Sequence, residues 1–168
     1  MSYICSVCGD EHEGFPALAF KRPDYWLGLS PFKTILGKAD NDSCRTSDGH
    51  FFVRGVLEIP VLNGPEPKLD FGLWSTLSKA NFRRYRKTFH DADQSKLGSM
   101  FGWVSNEINA FPGSTNQKCY VYPRDGRLRP LLEIEPSDHP LSLAYQNGIT
   151  FELAQSIVHE ALNVEAIH

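Results

Sequence analysis

The sequence is short of the thiols that a disulfide scaffold or a double-knuckle zinc ribbon needs. It holds four cysteines in 168 residues and a single Cys-x-x-Cys, which excludes a ribbon built from two such turns and favours a reducing compartment over a disulfide framework. No apolar run approaches the roughly 20 residues that span a bilayer. The first residues form a polar turn where a secretory signal would need a basic start and an apolar core, so the expectation is a cytoplasmic protein. Excess positive charge is missing as well: the formal net charge is −3, which gives no general attraction to nucleic acid or to an anionic membrane. Neither a GxGxxG loop nor a Walker lysine is present, and there is no Gly-x-Ser-x-Gly elbow or His-Glu-x-x-His helix. Repeats, low-complexity tracts and long linkers are absent too.

What the sequence does contain begins at Cys5-Ser6-Val7-Cys8-Gly9, followed by His12. Two thiolates at this spacing converge on one point, backbone N–H groups aim at the sulfurs, and Gly9 supplies the positive φ that a Cβ would resist. This is half of a zinc site. The other half has to come from elsewhere in the chain, and His12 and Cys44 are the candidates. His12 follows at the distance that lets a chain leave a knuckle and return to the metal. Cys44 sits in the polar run Asp40-Asn41-Asp42-Ser43. Cys5, Cys8, His12 and Cys44 then form a closed Cys3His set, structural rather than catalytic. Asp42, His50 or water are the alternatives for the fourth place, and a redox pair is the alternative for Cys5 and Cys8.

Cys119 is assigned to the core by register. Asp125-Gly126 reads as a two-residue hairpin turn between strands that pair Val121 with Pro130 and Cys119 with Leu132. Cys119, Val121, Leu128, Leu132 and Ile134 then share one apolar face.

The strongest strand is 50–61, with Phe51, Val53, Leu57, Ile59 and Val61 on one face and Arg54 and Glu58 on the other. Residues 71–77 resume the sheet. A short helix is expected at 23–29, ended by Ser30-Pro31. Ser78 caps a helix whose Phe82, Tyr85 and Phe89 face the core while Arg83, Arg84, Arg86 and Lys87 form a solvated basic face over 79–88. Residues 99–105 form a further strand. The run 137–141 caps a helix stopped by Asn147-Gly148, and Thr150 caps a C-terminal helix with Phe151, Ala154, Ile157, Val158, Ala161 and Leu162 on its apolar stripe. The expectation is one α+β domain over 1–168, a mainly antiparallel sheet with packed helices and an N-terminal zinc knuckle, residues 1–48 contributing the zinc-binding segment. Arg54, Glu58, Trp74, Asp138 and His139 are the remaining candidates for contact with a ligand. Each has an ordinary structural alternative: an ion pair, a core tryptophan, and a turn or helix cap.

The order of motifs carries a resemblance. Cys5-Ser6-Val7-Cys8-Gly9 with His12 and Pro16, Asp42 and Cys44, Phe52 to Val61, Gly72-Leu73-Trp74 with Leu77-Ser78, Arg129-Pro130, Asp138-His139-Pro140-Leu141 and Gly148-Ile149 resemble the bacterial family known as domain of unknown function 2199. The resemblance implies a small bacterial cytoplasmic protein and supports Cys5, Cys8, His12 and Cys44 as a recurring set. Cys119 falls outside it, and no activity comes with it. Three functional readings follow: a zinc-stabilised, non-catalytic protein that binds a protein partner, as immunity proteins bind toxins; a metal-dependent enzyme with water in an open zinc position; and a nucleic-acid binder using the basic helix, which the net charge disfavours.

Overall fold

Alternating apolar residues and well-placed caps account for most of the elements in the computed structural model, which describes residues 1–167, with side chains described to Asn163. The chain opens with β1 (Ser2–Ile4), β2 (Glu11–Glu13) and β3 (Leu18–Ala19), then α1 (Asp24–Leu27), α2 (Pro31–Leu36), β4 (Lys38–Ala39) and β5 (Ser43–Arg45). Two long strands follow, β6 (Phe51–Leu62) and β7 (Lys68–Thr76), then α3 (Lys79–Lys87) and a 3-10 turn at Gln94–Leu97. The rest comprises β8 (Met100–Trp103), β9 (Lys118–Tyr122), β10 (Leu131–Ile134), α4 (Pro140–Asn147), β11 (Ile149–Thr150) and α5 (Phe151–Ile167). The fold is α+β, as expected, with a mostly antiparallel sheet that also contains parallel pairings. Among the described residues no helix is long and apolar enough to cross a membrane.

The chain divides into two compact units, and it passes between them along β6 and β7. One unit holds Met1–Leu18, Glu58–Phe71 and the chain from Pro136 onward; the other holds Ala19–Leu57 and Gly72–Glu135.

In the first unit, β1 and β2 form an antiparallel hairpin that pairs Tyr3 with His12. Tyr3 packs edge-on against Phe151 at 5.1 Å and against Phe15 at 5.5 Å. Each such aromatic pair is worth about 0.5–1.5 kcal/mol beyond its buried area. Gly64 is required here, because a Cβ at that position would lie 2.4 Å from the Phe151 ring. β11 pairs in parallel with the end of β6, Ile149 opposite Val61. Thr150 caps α5 through its hydroxyl, which accepts the Leu153 N–H, and Ala154, Ile157 and Val158 are buried as the apolar stripe requires.

In the second unit, β6 is flanked by β7, and its other edge is taken in turn by β5, with Cys44 opposite Phe52, and by β10, with Leu131 opposite Val56. Ser78 caps α3 by accepting the Asn81 N–H. Ser30-Pro31, expected to end a helix, instead opens one: Ser30 accepts the Lys33 N–H as N-cap of α2 and Pro31 takes its first position. A serine before a proline stops the preceding turn and starts the next one by the same geometry.

The hairpin between β9 and β10 differs from the expected register. Leu131 pairs with Tyr122 and Ile134 with Cys119, which centres the turn on Gly126 and Arg127, both left-handed at φ 75° and 60°. Moving a turn by one residue moves every partner by two, and a shift of two leaves the faces unchanged. Cys119, Val121, Leu132 and Ile134 are therefore buried together as expected. Leu128 is the exception; it falls in the loop and is 54 % exposed.

Candidate metal centre

The loop between β1 and β2 closes on itself before any side chain is considered. The Cys5 N–H donates to the Asp10 carbonyl at 2.8 Å, the Gly9 N–H donates to the Cys5 carbonyl at 2.9 Å, and Gly9 takes φ 80°. Nothing lies within 4 Å of a Cβ built on Gly9, so the glycine answers to its backbone angle rather than to crowding. The Val7 N–H points at the Cys5 sulfur at 3.4 Å. From α5, the buried Gln155 accepts the Ser6 N–H through its amide oxygen at 2.7 Å. Gln155 stands 149 residues from Ser6, and nothing in the local pattern of either residue signals the bond.

This loop brings Cys5, Cys8 and His12 together, with their ligating atoms all within 4.8 Å of one another. Cys5 is buried, Cys8 exposed and His12 half-buried. The Cys8 sulfur lies 3.2 Å from His12 Nε2, near the separation of about 3.5 Å that Zn–S and Zn–N bonds of about 2.3 and 2.0 Å impose in a tetrahedron. Two thiols and an imidazole are a donor set suited to zinc. The Cys8 N–H, then the Val7 N–H, hold the Cys5 thiol below its ordinary value despite its burial. Cys8 receives the Asp10 N–H, which favours its thiolate, yet partial desolvation and the neighbouring Cys5 sulfur push it up. Two adjacent thiols oppose each other's ionisation, and a cation between them removes that opposition.

Cys44, the fourth ligand expected from the sequence, belongs to the second unit. Its side chain is buried with Phe52 and Trp74 beside Phe20 and Trp26. The polar run before it does form a turn, with Asp40 accepting the N–H groups of Asp42 and Ser43, but β5 then carries Cys44 inward opposite Phe52. Burial pushes this thiol up to about 12 in the absence of a cation. Burial likewise pushes Cys119 up to about 11, with its sulfur 3.2 Å from the Ser75 hydroxyl.

Trp74 is fully buried, and its indole N–H donates to the Phe20 carbonyl at 3.0 Å. Glu58 is paired with Lys68, whereas Arg54 donates to the Asn41 carbonyl at 3.4 Å. His139 caps α4, its Nδ1 accepting the Leu141 N–H at 3.1 Å, and Asp138 is exposed beside it.

An arrangement that sequence reasoning missed lies in the second unit. Lys38, Arg45, Lys79, Arg83 and Arg86, with Asp40, line a cleft of about 1090 Å³. Lys79, Phe82, Arg83 and Arg86 fall at i, i+3, i+4 and i+7 and share one side of α3. That spacing was the available signal. The basic face of this helix is therefore not uniformly solvated: Arg86 is held by Asp40 at 3.1 Å and by the Ser43 hydroxyl at 2.9 Å.

An α+β protein with an N-terminal Cys2His cluster is the class that this fold and site define. The chain belongs to the family described as "Uncharacterized protein conserved in bacteria (DUF2199)", whose profile matches residues 4–149. The match takes in Cys5, Cys8, His12 and every element from β2 to α4. No curated protein and no solved structure matches the chain.

Proposed function

We propose that the protein is a non-catalytic binding protein whose N-terminal hairpin is stapled by one zinc ion held by Cys5, Cys8 and His12. The convergence of these three side chains on a self-closing knuckle is the observation that supports it. The amides of Val7 and Cys8 bond the Cys5 sulfur and Gln155 anchors the loop at Ser6, so the donors are held in orientation by groups that do not themselves bind the metal. A protein partner, of the kind that immunity proteins engage, is the expected ligand of the molecule as a whole. Metal analysis tests the staple: the zinc-to-protein ratio is expected near one, lost in Cys5→Ser and Cys8→Ser and retained in Cys44→Ser. Zinc content that falls only in the Cys44 variant overturns it.

One observation favours a second reading, a metal-dependent enzyme. Three protein donors leave one tetrahedral position for water, and exposed Cys8 puts the site within reach of solvent. Cobalt-substituted protein separates the two. A visible spectrum shifted by added cyanide indicates an exchangeable position, and an unshifted one indicates a closed staple.

A further inference from the structure

We infer that the cleft between α3 and the β4–β5 turn binds an organic polyphosphate, a small molecule carrying at least two phosphate groups on a moiety with an apolar face. Five cations line this cleft against one carboxylate, that of Asp40. Arg86 and Asp40 neutralise each other at 3.1 Å. Among the described residues, Lys38, Arg45, Lys79 and Arg83 have no ion pair, which leaves four positive charges facing one cavity. Burial pushes the Asp40 carboxyl upward, but the N–H groups of Asp42 and Ser43 and the Arg86 guanidinium outweigh it and hold the group below the ordinary carboxylate range. Asp40 therefore stays charged and keeps Arg86 in place. Arg86 uses one nitrogen for Asp40 and Ser43, and its remaining N–H groups are available to a ligand.

Two arginines without ion pairs and a third fixed in orientation favour phosphate over a simple carboxylate, because the planar guanidinium matches two phosphate oxygens at once. A surplus of four charges is matched by a tri- or tetra-anion and over-compensates a dicarboxylate. Size selects in the same direction. The cleft volume of about 1090 Å³ lies near the upper end of small-molecule sites, about 300–1,000 Å³, larger than inorganic phosphate needs. Apolar wall is present as well, in exposed Leu36 and in Phe51 and Phe82. Those two rings pack on each other at 5.1 Å and Phe82 is buried, so they form a floor under one ligand rather than platforms on which successive bases of a strand stack.

Titration calorimetry on the full-length protein, with ATP, inorganic tripolyphosphate and a single-stranded oligothymidine as probes, tests the inference. Saturable binding of ATP, weaker binding of tripolyphosphate, and at least tenfold weakening of both in Arg45→Glu and Arg83→Glu are expected. Lys87→Glu, an exposed charge reversal on the same helix but outside the cleft, is expected to leave binding unchanged. All three residues substituted for this comparison are exposed, and melting curves of each variant check that it folds. Equal weakening in Lys87→Glu, no saturable binding of either phosphate probe to the wild type, or tight oligothymidine binding that ATP does not displace would overturn the inference.

Discussion

Cys8 and Cys44 show how one residue type divides by environment. Cys8 is exposed beside His12, whereas Cys44 is 1 % exposed within an aromatic cluster. Thiol reactivity follows thiolate character and access. In metal-free protein at pH 8, iodoacetamide is expected to modify Cys8 first and to leave Cys44 and Cys119, pushed up to about 12 and about 11, untouched until the chain unfolds. Mass spectrometry of the alkylated protein reads this order, and added zinc should suppress the Cys8 reaction. Glu107 uses its charge to hold a loop. Burial pushes its carboxyl up, but the Ser114 N–H and hydroxyl and the Gly113 N–H hold it below its ordinary value. A depressed carboxyl contributes stability above its unfolded value, and that contribution is lost as pH falls through its folded value. Glu107→Gln is expected to cost about 1 kcal/mol at pH 7, allowing for solvent screening. Urea melts of variant and wild type should converge below the ordinary glutamate range.

At the scale of elements, local chemistry was legible and long-range placement was not. Ser78 and Thr150 announce their helices because a cap bonds within its own first turn. The apolar face of β6 was legible because alternation is a property of the strand alone. Register was not, since Asp125-Gly126 and Gly126-Arg127 are both credible turn centres, and the choice is made elsewhere: Asp125 accepts the Ser95 N–H at 2.9 Å and Gly126 donates to the Ala92 carbonyl. Arg127 consequently sits at φ 60°, a left-handed position that costs a side chain about 1 kcal/mol. Arg127→Gly is therefore expected to raise stability by up to about 1 kcal/mol, measured by chemical denaturation. Destabilisation in that variant would favour the Asp125-Gly126 turn.

For the whole molecule, net charge and local charge part company. A formal charge of −3 coexists with a cleft that concentrates five cations, because of all the carboxylates among the described residues only that of Asp40 lines it. Composition bounds the average field and says nothing of its focusing. The cluster of Cys5, Cys8 and His12, by contrast, was legible in the sequence. These residues lie within one short hairpin, so their spacing alone brings them together. X-ray absorption at the zinc edge of the purified protein tests the central claim most directly. Two sulfur and one imidazole nitrogen scatterers at about 2.3 and 2.0 Å, with a fourth light-atom ligand, are the expected result; three sulfur scatterers, or no zinc bound at all, would contradict it.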